Sequence, residues 1–179
     1  MQPSHKSAEE KYTNIRKLAY ELTLEELPYQ DRAVIGITDI NNIALATSNA
    51  WAFSNERRVH WDWTFGVKTY RRRYPNRFEL AIWYGNTLCG LALGRPSYNV
   101  TKVRLDFIER VPGANNPLTG RVTPISTTAF EVYARLVDAS EVRIMFPEAS
   151  VIEYYSSLGY TYVQGTKTNS HPDYLFKKL

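Results

Sequence analysis

Apolar positions near the N-terminus recur at the spacing of a helix. Ser7 and Glu10 stand three residues apart, as the two members of a capping box do where a helix begins. Pro28 follows the periodic stretch and is expected beyond the end of the helix. The pattern predicts an amphipathic helix with an apolar stripe of Ile15, Leu18, Ala19 and Leu22.

The next hundred residues alternate short apolar runs with polar breaks. Residues 33–38 predict a short strand, and Asp39 is expected to cap the helix that follows it. Residues 57–73 combine aromatic with basic side chains and stop before Pro75, which favours a helix with a basic outer face.

The clearest β signal lies in the middle of the chain. The apolar runs 77–84 and 87–95 are separated by two turn-forming residues, Gly85 and Asn86, which predicts a hairpin. Residues 102–111 alternate strictly and predict a half-buried strand. In that strand one face is expected to hold Val103, Leu105 and Phe107, and the other Arg104 and Asp106.

The C-terminal third completes an α/β pattern. A loop rich in Gly, Pro and Asn over 113–124 precedes a predicted helix over 126–139. A strand over 141–146, a short helix from a Ser150 cap to Gly159, and two further extended runs follow. We predict one mixed, mostly antiparallel central sheet flanked by helices. The chain is expected to divide into an N-terminal helical extension, 1–30, and a domain over 31–179.

Composition narrows the class of protein further. Hydrophobic residues make up 44% of the 179 residues, which is enough for one packed core. No run approaches the roughly 18 apolar residues that span a bilayer, and the N-terminus is polar, so a cytoplasmic protein without membrane contact is expected. One cysteine and three histidines offer no metal-ligand spacing, and Cys89 is expected in the core.

Charge leaves two kinds of partner open. The formal net charge of +4 suits either a polyanion or a phosphate-bearing cofactor. Basic and aromatic residues interleave between 57 and 77, as in surfaces that bind nucleic acid. The residues concerned are Arg57, Arg58, Lys68, Arg71, Arg72, Arg73 and Arg77, with Trp61, Trp63, Tyr70 and Tyr74 between them. The alternative is an ordinary solvated helix face.

A motif near the C-terminus resembles a known superfamily. Tyr155, two serines, Leu158, Gly159 and Tyr160 follow the order in which GNAT acyltransferases often end their second cofactor helix. The hairpin and the element order of residues 77–164 are also similar to that family's core. The resemblance implies an N-acyltransferase that moves an acetyl or similar group from acyl-CoA to an amine acceptor, without a metal.

The resemblance also implies where acyl-CoA binds. A helix that begins after a polar loop offers unpaired N–H groups to a pyrophosphate. The residues expected there are Leu118, Thr119, Gly120, Arg121, Val122 and Thr123. The family signature has three fixed positions; Gly120 matches one of them, whereas Pro117 and Val122 occupy the other two.

The catalytic residues implied by the family lie on three elements. The strand ending at Val111 is expected to hold the acyl carbonyl through its backbone, and Tyr155 to protonate the leaving thiolate. The candidate bases are Glu79, Asp106 and Glu109. The acceptor pocket is expected to include His60, Trp61 and Trp63. An inactive GNAT-like binding module with the basic, aromatic-rich surface remains the alternative. The N-terminal helix docks either on its own domain or on a second subunit in a homodimer.

Overall fold

The computed structural model describes residues 4–166 and 171–179. In this part of the chain seven strands form one sheet in the order β1-β2-β3-β4-β5-β7-β6. The strands are β1 (Ile35–Thr38), β2 (Phe78–Tyr84), β3 (Thr87–Pro96), β4 (Lys102–Arg110), β5 (Glu141–Met145), β6 (Thr161–Val163) and β7 (Tyr174–Lys178). All neighbours are antiparallel except β4 and β5. The predicted mixed, mostly antiparallel α/β fold is therefore confirmed.

Helices cover both faces of the sheet. They are α1 (His5–Glu26), α2 (Tyr29–Arg32), α3 (Asn42–Asn49), α4 (Trp63–Arg73), α5 (Val122–Leu136) and α6 (Ile152–Ser157). Two 3-10 turns are also present: Ala50–Phe53 precedes the segment that leads to α4, and Ala149–Val151 directly precedes α6. One core packs α1 and α5 on the sheet through residues such as Phe78 and Phe130, and the other packs α3 and α4 through residues such as Trp63 and Leu91.

A β-bulge interrupts β4 at Asp106. Leu93 is opposite Phe107 and Gly94 is opposite Leu105, so Asp106 is the extra residue between them. A side chain at position 94 would place its Cβ 1.8 Å from the carbonyl oxygen of Arg104, which is why the close approach requires glycine.

The bulge reverses the faces of β4 beyond it. Val103 and Leu105 pack in the core under α1 and α5, whereas Phe107 packs against Trp63 and Tyr70 on the opposite face. The predicted alternation was therefore wrong for Phe107, since one inserted residue shifts a period of two.

The parallel strands β4 and β5 separate after the bulge. They pair only from Lys102 with Glu141 to Leu105 with Ile144. Beyond Leu105, β4 continues to pair with β3 while β5 stays with β7. The sheet consequently opens between the carboxyl ends of two neighbouring strands.

Two helix starts in the first half differ from the sequence prediction. Residues 57–62 are not helical, because α4 begins at Trp63 after Asp62, whose side chain accepts the Phe65 N–H at 2.8 Å. The cap of α3 is Asn41, not Asp39; its Oδ1 accepts the Ala44 N–H at 3.0 Å.

Helices α1, α5 and α6 are found near their predicted positions with shifted starts. Ser4, not Ser7, is the N-cap of α1, and Ser150 makes no capping hydrogen bond to α6. Helix α5 begins at Val122, so the end of the predicted loop is its first turn. Gly159 follows α6 with φ of +87°, in the left-handed conformation expected after a helix.

Burial confirms Cys89 as a core residue. In the described ranges, 4–166 and 171–179, no helix is both long enough and apolar enough to cross a bilayer.

Candidate active-site cleft

A cleft of about 420 Å³ lies where β4 and β5 separate. Its walls come from both faces of the sheet, because the sheet is open at this point. Tyr155 of α6 and the first turn of α5, Val122 and Thr123, line it on one side. Asp106, Glu109 and the segment 56–61 line it on the other. The cleft therefore offers two approaches to one central space.

Tyr155 is buried but reaches the cleft. Its side chain is 4% exposed and lies between Tyr154 and Tyr160 in the core. Burial raises the pKa of Tyr155 to about 12, the neighbouring Tyr154 adds to the rise, and a hydrogen bond with Thr123 opposes it. The phenol is therefore protonated at neutral pH, and it is a weaker acid than an ordinary tyrosine.

The loop before α5 is closed by its own hydrogen bonds. The Leu118 N–H donates to Asn116 Oδ1 at 2.8 Å, and both the N–H and the hydroxyl of Thr119 donate to the Asn116 carbonyl. Asn116 in turn donates to the Cys89 carbonyl at 3.2 Å, and Leu118 is fully buried. Leu118 and Thr119 are thus committed to the shape of the loop.

Arg121 is held by a neighbouring acid. Its guanidinium donates to both carboxylate oxygens of Asp31 in α2, at 3.0 and 2.5 Å. Its own N–H donates to the Leu118 carbonyl. Gly120 sits beside it with φ of +76° and is exposed. The first turn of α5, with Val122 and Thr123, is the part of the predicted loop that faces the cleft.

Glu109 lines the cleft with its oxygens engaged. Arg57 donates to the two oxygens at 2.6 and 2.9 Å, and the Trp63 indole N–H donates at 2.6 Å. Both charged side chains are almost fully buried. Trp63, which was expected in the acceptor pocket, lies behind the cleft wall, because it is 4% exposed and directs its N–H at Glu109.

Asp106, the bulge residue, is the second acid in the cleft. It accepts a hydrogen bond from the Tyr70 hydroxyl at 2.9 Å and two from Arg104 at 3.0 and 2.6 Å. Burial raises the pKa of Asp106, against the lowering effects of Arg104 and Tyr70. A carboxylate with a raised pKa binds a proton more readily than an ordinary one.

Glu79 lies outside the cleft, contrary to expectation. It is buried on β2 and forms ion pairs with Arg71 and Arg77. It lines a separate cavity beside α1, with Glu9 and Arg16. Strand order explains the difference, because β2 and the opening beside β4 are separated by β3.

Of the remaining predicted residues, some line the cleft and others lie outside its lining. His60 and Trp61 line the cleft, and Trp61 packs edge-on against Phe107 at 4.9 Å. Val111 directly follows the last residue of β4, and its N–H donates to the Cys89 carbonyl at 2.9 Å. Sequence reasoning missed Phe146, an exposed residue of the cleft at the end of β5, because no motif marks it.

The basic segment 57–77 does not form one continuous positive surface. Arg57 is paired with Glu109, while Arg71 and Arg77 are paired with Glu79. The side chains of Arg57 and Arg77 are almost fully buried in these pairs, whereas that of Arg71 is 35% exposed. Lys68, Arg72 and Arg73 remain exposed on α4.

The opened sheet and the two helices that flank it define the class of fold. The chain has the fold of the GNAT N-acetyltransferases. Ard1 from Thermoplasma volcanium superposes with a TM-score of 0.60 at 12% identity, over 82% of this chain and 98% of that one.

Two further structures show the same likeness. Spermidine/spermine N-acetyltransferase SpeG from Vibrio cholerae has a TM-score of 0.53 at 8% identity, covering 82% of this chain and 93% of its own. The ribosomal-protein-S18-alanine N-acetyltransferase from Escherichia coli has a TM-score of 0.52 at 15% identity, covering 81% and 92%. No model of a protein family and no curated protein sequence matches the chain.

Proposed function

We propose that this protein is an N-acyltransferase that moves an acetyl or similar group from acyl-CoA directly to an amine. One observation carries the proposal: the cleft opens through the sheet beside a buried, protonated Tyr155 and the first turn of α5. The likeness to N-acetyltransferase structures supports it. A shared fold alone would not establish this activity, because one fold hosts many activities.

The walls of the cleft fit an acyl-CoA on the side of α5 and α6. Apolar side chains there, including Ile108, Val122 and Val151, suit a pantetheine arm. The N–H groups and positive dipole of the first turn of α5 suit the phosphates. Pro124 supplies no N–H, and Arg121 is shared with Asp31, so we propose weaker phosphate binding than an open glycine-rich loop would give.

The chemistry is a direct transfer. The amine nitrogen attacks the thioester carbonyl carbon, the carbon–sulfur bond breaks, and the amide forms. Tyr155 donates its proton to the departing thiolate, and a base accepts the proton lost by the amine. Of the expected bases we propose Asp106, because it lines the cleft and burial raises the pKa of its carboxyl.

Acetyl-CoA binding tests the first half of the proposal. A concentration about 100 times the dissociation constant should raise the melting temperature by several degrees. Thr123→Glu places a carboxylate in the first turn of α5 and should abolish that shift. Thr128→Glu, on the same helix but outside the cleft, is the matched control and should retain it. An unchanged melting temperature for the unsubstituted protein rules out the proposed donor.

Thiol release tests the second half. The protein and acetyl-CoA are incubated with spermidine, with a tetrapeptide that has a free N-terminal alanine, and with tryptamine, and the amide is identified by mass spectrometry. Amide formation in proportion to thiol release supports transfer. Binding of acetyl-CoA without an amide from any of these amines contradicts transfer to these three acceptor types.

A further inference from the structure

A loop with little internal structure forms the far wall of the cleft. Residues 54–62, the acceptor loop, connect the 3-10 turn Ala50–Phe53 to α4 and contain no helix or strand. His60 and Trp61 of this loop line the cleft, and they also line a second cavity of about 420 Å³ beside it. The loop therefore faces whatever enters the cleft opposite α5 and α6. On the proposed function, this is the amine acceptor.

One side chain fastens this loop to the sheet. Arg57 donates from Nε and Nη2 to the two carboxylate oxygens of Glu109, at 2.6 and 2.9 Å. Its Nη2 also donates to the Trp61 carbonyl at 2.7 Å, which ties one half of the loop to the other. Throughout 4–166 and 171–179, the hydrogen bonds from this loop to the sheet all come from Arg57.

Burial makes this attachment stronger than an exposed ion pair. The side chains of Arg57 and Glu109 are 7% and 4% exposed, and their contact is bidentate. The Trp63 indole N–H adds a third hydrogen bond to Glu109, from the first residue of α4. Glu109 thus accepts hydrogen bonds both from Arg57, in the acceptor loop, and from Trp63, the residue that follows this loop.

We propose that Glu109 and Arg57 form a clasp that positions the acceptor loop, and that Glu109 is a positioning residue for the acceptor rather than the base. Both carboxylate oxygens of Glu109 accept hydrogen bonds from the Arg57 guanidinium. At Asp106, in contrast, both hydrogen bonds from Arg104 fall on Oδ1, and Oδ2 accepts a hydrogen bond from the neutral Tyr70 hydroxyl. A substrate amine would have to compete with Arg57 for the Glu109 carboxylate. This inference rests on the proposed function for the identity of the occupant, but the clasp itself does not depend on catalysis.

Hydrogen exchange tests the clasp without an assay of activity. Amide exchange of residues 54–62, followed by mass spectrometry, is compared in the unsubstituted protein, Arg57→Gln, Glu109→Gln and the double variant. Each single variant should speed exchange of the loop on the order of tenfold. The double variant should exchange no faster than the singles, because both changes remove one contact.

Glu131→Gln is the matched control. Glu131 is also a buried carboxylate with three hydrogen bonds, one from Tyr160 and two from Lys177, on the other face of the sheet. Its loss should leave exchange of residues 54–62 unchanged. Melting temperatures of all variants identify any that fail to fold, and Arg57→Lys, which keeps the charge but not the fork, should restore part of the protection.

Kinetics then separates positioning from proton transfer. With an amine that the protein acetylates, Glu109→Gln and Arg57→Gln should both raise KM for the amine about tenfold and leave acetyl-CoA binding within about twofold. A loss of kcat of about 100-fold in Glu109→Gln alone, with Arg57→Gln near the unsubstituted protein, would identify Glu109 as the base and overturn the proposal. Unchanged loop exchange in both single variants overturns it as well. If acetyl-CoA does not bind at all, the proposed function fails, whereas the exchange experiment still decides the clasp.

Discussion

Tyr155 shows how burial and access combine at a single residue. The ring packs among other tyrosines, yet the side chain borders the cleft. Because burial raises its pKa to about 12, the phenol keeps its proton across the physiological range. No loss of activity below about pH 10 should therefore arise from ionisation of Tyr155.

Tyr155→Phe removes the proton and keeps the ring. We expect kcat to fall about 100-fold, since the thiolate loses its proton donor, while KM for acetyl-CoA changes little. Steady-state thiol release at several acetyl-CoA concentrations measures both quantities. Tyr162→Phe, a hydroxyl removed outside the cleft, is the control. An equal loss in the two variants would exclude a specific role for Tyr155.

Phe146 combines two features that stability alone does not favour. Its backbone has φ of +52°, a left-handed conformation that is costly for a bulky residue, and its ring is 67% exposed at the edge of the cleft. The amide is fixed there by donation to the Asp173 carbonyl at 3.0 Å. Such strain at a cleft is a reason to suspect a contact with ligand.

Paired substitutions of Phe146 separate strain from contact. Phe146→Ala removes the ring and keeps the strain, whereas Phe146→Gly removes both. We expect the glycine variant to be more stable than the alanine variant by about 1 kcal/mol, measured by denaturant unfolding. Both should weaken acetyl-CoA binding to the same extent in titration calorimetry. Unchanged affinity in both variants would show that the ring does not contact the donor.

At the scale of elements, one inserted residue accounts for the cleft. The bulge at Asp106 bends β4 at the point where its pairing with β5 ends. It also moves Phe107 and Glu109 to the face covered by α4, where Glu109 meets Arg57 and Trp63. The opening of the sheet and the clasp on the acceptor loop therefore share one cause.

Deletion of Asp106 tests that cause. Without Asp106, Leu105 is followed directly by Phe107, so that β4 alternates regularly and can pair with β3 without a bulge. Phe107 and Glu109 then still lie on the face covered by α4. We expect a folded protein by circular dichroism whose acetyl-CoA affinity is lower on the order of tenfold or more, because the cleft narrows. Asp106→Ala keeps the bulge and should bind acetyl-CoA normally. Equal acetyl-CoA affinity in the deletion variant and in Asp106→Ala would show that the cleft does not depend on the bulge.

For the whole molecule, buried tyrosines set a limit on stability at high pH. Burial is the main cause that raises the pKa of five of them above the ordinary value of 10: Tyr20, Tyr70, Tyr133, Tyr155 and Tyr160. They belong to α1, α4, α5 and the segment around α6, so they sample most of the core.

These shifts predict cooperative unfolding in alkali. A pKa raised by folding contributes stability that is complete below the unfolded value near 10 and is lost as pH rises towards the folded value. We expect the exposed tyrosines, such as Tyr29 and Tyr98, to ionise near pH 10, and the remaining tyrosinate absorbance to appear at higher pH together with the loss of circular dichroism. Ionisation of all 13 tyrosines near pH 10 with the secondary structure intact would contradict the burial.

Much of this molecule follows from local sequence. The hairpin, β4, β5 and α1 lie close to their predicted ranges, because a period of two or of 3.6 is a property of the residues themselves. The left-handed Gly159 and the buried Cys89 were also predictable, from a helix-end signal and an apolar run. Tyr155 was identified through the motif in which it lies.

Only the tertiary structure decided which of these residues meet. Glu79 and Glu109 are both acids on strands, but strand order places one beside α1 and the other in the cleft. Phe107 lies on the second face because of the pairing across the bulge, not because of the sequence of β4. Glu109, the partner of Arg57, lies 52 residues away along the chain. Periodicity reports the nearest neighbours along the chain, whereas a cleft is formed by residues distant in sequence, whose meeting depends on the registration of the whole sheet.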